Sequence, residues 1–143
     1  MKKVMCFGTF DILHEGHKDY FKQAKEEGDI LIVVLARDNH VLQYKKSLWH
    51  DEEIRLNEVA KVPEVDRAIL GSAGDDLLVV VEKEKPDVVC LGYDQKTDEA
   101  RLQKELIKRN VHAEVKRMKA HKPEQYKSTI IKRVIVQNEK RNS

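Results

Sequence analysis

The sequence predicts an α/β fold: a doubly wound parallel sheet of five strands with helices on both faces. Three observations predict it. Short apolar runs rich in β-branched residues recur five times along the 143 residues. Stretches with helical spacing of apolar residues lie between them. Glycine closes three of the runs, at Gly8, Gly71 and Gly92. Near-continuous apolar runs mark strands covered on both faces, as parallel strands are. Their alternation with helices implies right-handed crossovers.

The elements follow in order. Lys3-Val4-Met5-Cys6-Phe7 is the first strand, and Ile30 to Leu35 is a second, fully apolar one. Val65 to Leu70, Asp87 to Leu91 and a weaker run from His112 to Arg117 complete five. A first helix from about His17 to Glu27 places Tyr20, Phe21 and Ala24 on one face, with Gly28 as its C-terminal stop. A second runs from Asp51, an N-cap candidate, to Lys61, and Pro63 follows its end. Asp75 to Glu84 carries Leu77, Leu78, Val80 and Val81, and Glu99 to Arg109 carries Leu102, Leu106 and Ile107. Ser128 to Gln137 closes the fold, after a long Lys- and His-rich loop at 118–127. The common order for five such strands is 3-2-1-4-5, a Rossmann-like arrangement. Ligands then bind beyond the carboxyl ends of the first and fourth strands, where the order reverses.

Size and composition fit one domain over residues 1–143. Hydrophobic residues make up 41% and charged residues 36%; 27 basic and 25 acidic side chains nearly cancel. This balance argues against a nucleic-acid coat or a membrane-surface protein. No stretch approaches the length of a bilayer span, and no secretory signal is evident. Cys6 and Cys90 each sit inside an apolar run and are expected buried and reduced, consistent with a cytoplasmic location.

Most of the chemistry is expected just after the first strand, at Gly8-Thr9-Phe10-Asp11-Ile12-Leu13-His14-Glu15-Gly16-His17. Gly8 lets the backbone approach a ligand, and Gly16 leaves room beside it. His14 and His17 are three residues apart, so both imidazoles can face one side of a turn entering a helix. Amide groups at that helix start attract anions. The result suits a triphosphate whose α-phosphorus gains charge during transfer. Two rival readings are weaker. The histidines could simply cap the helix, or Asp11, His14 and His17 could line a metal ion. Zinc needs three or four protein ligands, and no further Cys or His lies nearby.

Gly8-Thr9-Phe10-Asp11 followed by His14-Glu15-Gly16-His17 resembles the signature of the cytidylyltransferase-like nucleotidyltransferase superfamily, and the resemblance runs from Met1 to about Val134. It implies transfer of a nucleoside monophosphate from a triphosphate to a phosphorylated acceptor, with release of pyrophosphate. His14 and His17 would contact the α- and β-phosphates. Gly8, Thr9, Phe10, Asp11 and Gly16 would line the nucleotide site. After the fourth strand, Gly92 and Asp94 would join it, with Asp94 on ribose hydroxyls or on Mg²⁺. Arg117 matches a basic residue preceding the family's Ser-Thr pair, here Ser128 and Thr129 at the start of the last helix; both are also good N-caps. Lys45 or Lys46 would close over the phosphates, and Arg55 would bind the acceptor's phosphate, for which its fork is suited. Asp11 would reach the acceptor too. Trp49 either packs under the loop, the preferred reading, or stacks on an acceptor ring. His40, His50, His112 and His121 are read as surface residues.

Two branches compete. Ala36-Arg37-Asp38, Leu70-Gly71-Ser72, Leu91 to Gln95 and the gap from Arg117 to Ser128 look most similar to archaeal-type FAD synthases, which join ATP to FMN. Where these carry two cysteines before the Ser-Thr pair, this chain has Glu124-Gln125-Tyr126-Lys127. The alternative is a CTP-dependent cytidylyltransferase acting on glycerol 3-phosphate or a similar phosphorylated alcohol. A reading of another class, a non-catalytic nucleotide- or RNA-binding module, finds only thin support in the basic tail. The resemblance also implies a homodimer.

Overall fold

The computed structural model describes residues 1–43, 47–74 and 76–120. Its elements are β1 (Lys3–Gly8), α1 (Glu15–Lys25), β2 (Ile30–Leu35), α2 (Asp38–Val41), α3 (Glu52–Ala60), β3 (Arg67–Leu70), α4 (Val79–Glu84), β4 (Val88–Leu91), α5 (Glu99–Lys108) and β5 (Glu114–Arg117). The strands form one parallel sheet in the order β3-β2-β1-β4-β5. This is the predicted order.

Alternation along each strand builds two cores. Val4 and Cys6 of β1, Leu31, Val33 and Leu35 of β2, and Val88 and Cys90 of β4 meet Tyr20, Phe21 and Ala24 of α1 and Val59 of α3. The intervening residues face the other way. Met5, Ile32 and Val34 gather with Phe7 and Val80, while Val89 packs with Val81 of α4 and Leu106 of α5. Each strand residue is therefore claimed by one helical layer, which is why β2 reads as an unbroken apolar run.

The two cysteines lie side by side, Cys6 registered with Cys90 across β1 and β4. Burial raises both thiols, Cys90 to about 12, so neither carries thiolate near neutrality. Among the described residues no helix is long and apolar enough to cross a membrane.

Several boundaries differ from expectation, each for a physical reason. Helix α1 begins at Glu15, not His17, because His14 itself caps it. Gly28 is not a left-handed stop: α1 ends at Lys25, its cap residue Glu26 keeps right-handed geometry, and no described glycine has positive φ. A Cβ on Gly28 would lie 2.6 Å from a Val4 methyl and 2.9 Å from the Lys2 carbonyl, so the glycine admits β1 at close range. Helix α4 starts only at Val79, because the Asp76 carboxylate accepts from the Leu78 amide (3.1 Å) and from Arg109 (2.8 Å), closing a turn there. The single turn α2 has too few residues for periodicity to reveal it. The expected last helix, Ser128 to Gln137, lies outside the described residues.

Candidate active site

Three segments converge at the carboxyl end of the sheet: the turn after β1, the loop after β4, and residues 47–55 leading into α3. Phe10 shapes the first. It adopts φ of 53° and is only 5% exposed, with its ring edge-on to Phe21 at 4.9 Å and to His17 at 5.2 Å. Such a backbone is costly for a bulky residue and persists only where packing enforces it. A Cβ on Gly8 would stand 2.5–2.9 Å from atoms of that ring. Gly8 therefore makes room for Phe10, and Phe10 belongs to the core beneath the site. The Gly8→Ala variant is expected to lose about 1–3 kcal/mol in a urea melt, as over-packed cores do, and to lose turnover with it as His17 shifts.

His14 caps α1 in extended geometry, its Nδ1 accepting from the Gly16 amide at 3.1 Å. A neutral ring that accepts at Nδ1 carries its proton on Nε2. The His14 and His17 rings stack, centroids 3.8 Å apart and planes inclined by 27°. Burial holds His14 below the usual histidine value of 6.5, against the opposing pull of Asp94 and Glu15. The folded site thus keeps His14 neutral under conditions where a solvated histidine is half charged. Protonation at Nδ1 would also break the cap. The acid limb of kcat/KM, measured across pH with the free enzyme, is therefore expected below 6.5. The same shift removes stability as pH falls through 6.5, since the unfolded chain binds the proton first.

Across the crevice, the loop after β4 is tied from beneath. The Gly92 amide donates to Gln95 Oε1 (2.6 Å), and Gln95 Nε2 donates to the Phe7 carbonyl (3.0 Å), joining the ends of β4 and β1. Arg117 Nη1 donates to the Gly92 and Gln95 carbonyls (both 2.8 Å), Nη2 to the Thr97 carbonyl (2.7 Å) and Nε to Glu99 (2.6 Å). Expected at the nucleotide, Arg117 is instead engaged in holding the loop that presents Asp94. Asp94 is exposed and follows β4, which pairs with β1, so it lies at the same end of the sheet as His14.

Asp11 belongs to the third segment as much as to the first. It is 3% exposed, and its carboxylate accepts from the amides of Trp49 (2.9 Å) and His50 (2.8 Å). His50 Nδ1 returns a hydrogen bond to the Asp11 carbonyl at 2.8 Å. His50, expected on the surface, is thus half-buried within the site's frame, as His40 is against the Ser72 carbonyl (3.1 Å); His112 is exposed as expected. Arg55 is fully buried. Its Nε donates to the His50 carbonyl (3.2 Å), Nη1 to the Thr9 carbonyl (2.8 Å) and Nη2 to Asp38 (2.7 Å). In place of an exposed phosphate fork, the structure has a buried knot joining the first turn, α2 and α3. Trp49, preferred as a core residue, is 38% exposed.

The structure thus brings Gly8, Thr9, Phe10, Asp11, His14, Gly16, His17, Gly92, Asp94, Trp49 and Arg55 to one end of the sheet. Lys45, Lys46, Ser128 and Thr129 lie outside the described residues. The roles of Gln95 and His50 carried no sequence signal, because their partners are 88 and 39 positions away. Among the described residues, no three groups of His, Cys, Asp or Glu are placed to hold a metal ion between them. What the site offers is a stacked pair of imidazoles at a helix start, with one exposed carboxylate at the same end of the sheet. That suits an anionic, phosphate-bearing ligand.

Residues 5–134 match the family described as cytidylyltransferase-like. The chain is 46% identical over 120 residues to a protein of Ferroglobus placidus named FAD synthase, spanning 84% of this chain and 78% of that one. It is 41% identical over 137 residues to one of the same name from Thermoplasma volcanium, covering 96% of each. A crystal structure described as the lipopolysaccharide core biosynthesis protein from Thermoplasma volcanium superposes with a TM-score of 0.81 at 44% identity, over 85% of this chain and 98% of the other.

Proposed function

The chain belongs to the cytidylyltransferase-like family, and from that premise we propose that it joins the AMP of ATP to the phosphate of FMN, forming FAD and pyrophosphate. Support comes from relatives named FAD synthase that match it over most of both chains. The observation that carries the chemistry is the stacked His14–His17 pair at the start of α1.

An oxygen of the FMN phosphate attacks the α-phosphorus of ATP. The bond from that phosphorus to the bridging oxygen breaks, and the oxygen leaves with its electron pair as pyrophosphate. No covalent enzyme intermediate is needed, so catalysis is positioning and charge stabilisation. His14 donates from Nε2, and His17 beside it supplies a second donor. The α1 amides face the charge that builds on the equatorial oxygens. Lys45, Lys46, Ser128 and Thr129 complete the phosphate contacts in this reading. Mg²⁺ belongs to it as well: Asp94 would hold the ion, whose charge would offset that of the leaving pyrophosphate. One exposed carboxylate suits Mg²⁺, which takes phosphate oxygens and waters for its other ligands.

The structural relative at 44% identity carries a different description, of lipopolysaccharide core biosynthesis. That keeps a second reading in the test: CTP with a phosphorylated alcohol. Pyrophosphate release is measured with Mg²⁺ for ATP and CTP separately, each with FMN and with glycerol 3-phosphate. Release with ATP plus FMN, accompanied by FAD, is the expected result. Release only with CTP and glycerol 3-phosphate would move the chain to the other branch.

A further inference from the structure

Trp49 is the sole tryptophan of the chain. Tryptophan usually buries most of its large surface, yet this one is 38% exposed. Its backbone is nevertheless held firmly, the amide donating to the buried Asp11 carboxylate at 2.9 Å. The next residue, His50, grips Asp11 twice more. A fixed main chain beneath a partly exposed indole is a preorganised surface, and ordering it on binding costs little.

Its place in the crevice says which substrate it serves. The loop after β4, with Asp94, lies on one side of the β1 turn, because β4 pairs with β1 there. Trp49 belongs to the other side of that turn, where the 47–55 segment is bonded to Asp11 and runs into α3, which packs on β2 and β3. A nucleotide whose phosphates lie on the histidines, with the Mg²⁺ of the proposed reaction at Asp94, occupies the first side. The second is left for the acceptor. Leu42 (51% exposed) and Ile54 (45% exposed), in the elements that flank the same segment, add exposed apolar surface on that side.

We propose that the Trp49 indole is the stacking platform for the flat ring of the acceptor, and so the residue that selects a flavin over a small phosphorylated alcohol. The proposal rests on the FMN reading given above. An acceptor with an extended aromatic ring gains the stack while its phosphate reaches His14 and His17. Glycerol 3-phosphate has nothing to lay on the indole.

The test compares wild type, Trp49→Phe and Trp49→Ala. FAD formation is followed as FMN and ATP are varied in turn, and FMN alone is titrated while its own fluorescence is read. Trp49→Ala is expected to raise KM for FMN by about 10- to 100-fold, the loss that removal of one ring–aromatic stack produces. Its kcat and its KM for ATP should stay within about twofold of wild type. Quenching of the bound flavin should disappear with it, Trp49→Phe should keep most of the affinity, and the melting temperature should not move. An unchanged KM for FMN in Trp49→Ala, in an enzyme that makes FAD, would overturn the platform and leave the function standing. So would a loss that falls on ATP instead. A wild-type enzyme that makes no FAD from FMN would be a failure of the functional reading itself, and the platform would fall with it.

Discussion

Replacing His14 and His17 together by Ala is expected to lower kcat for pyrophosphate release by about 10³-fold or more, with much smaller changes in KM for ATP. One such donor is commonly worth ~10²–10³ in rate. The two rings act as a unit, so the double loss should fall short of the product of the single ones. The effect belongs in kcat because the hydrogen bonds strengthen as charge builds on the α-phosphate. His14 has a structural share that must be separated out. Its Nδ1 caps α1, and losing a cap costs about 0.5–2 kcal/mol. His14→Asn supplies the control, since Asn caps a helix well but cannot place a donor where Nε2 stands. It should melt near wild type and still be slow. A double Ala variant that turned over at the native rate would end the proposed mechanism.

Arg55→Ala is expected to destabilise the fold by about 3 kcal/mol, lowering the melting temperature by roughly 10 °C in a chain of this size. The side chain is wholly buried, and its removal strands the Thr9 and His50 carbonyls and the Asp38 carboxylate together. Asp38 is 31% exposed, so water can reach part of that carboxylate, which sets the figure at the lower end of the range for broken buried pairs. Arg55→Lys keeps the charge but cannot serve three partners in three directions, and should recover only part of the loss. Thermal melts without substrates, followed by KM for FMN on whatever folds, decide the matter. A native melting temperature with a greatly raised KM for FMN would return Arg55 to the acceptor-binding role that its position in the sequence implies.

The differing fortunes of Arg55 and His14 show how much of the site could be read in advance. His14, Gly16 and His17 act through neighbours two or three positions away, so their spacing already describes the turn. Arg55, Arg117 and Asp11 also sit where the motif puts them. Apart from the His50 carbonyl, five positions from Arg55, the partners cited for them are Thr9 and Asp38 for Arg55, Gly92 and Thr97 for Arg117, and Trp49 and His50 for Asp11, between 17 and 46 positions distant. A charged side chain near a phosphate site reads as a ligand contact until the competing carbonyls are seen. Gly28 misled in a similar way. Gly8 is required by the Phe10 ring, and Gly28 by the start of β1, not by a helix stop.

By itself the sequence determined the order of the sheet, the two helical layers and the pair of histidines at the switch point. All of these follow from short-range periodicity and from rules of chain connection that hold for any parallel sheet. Only the tertiary structure decided which polar side chains face the crevice and which frame it. That depends on which loops the order β3-β2-β1-β4-β5 sets side by side at the carboxyl end. There a buried guanidinium must find its acceptors inside the protein, while an exposed carboxylate or indole remains available to a ligand.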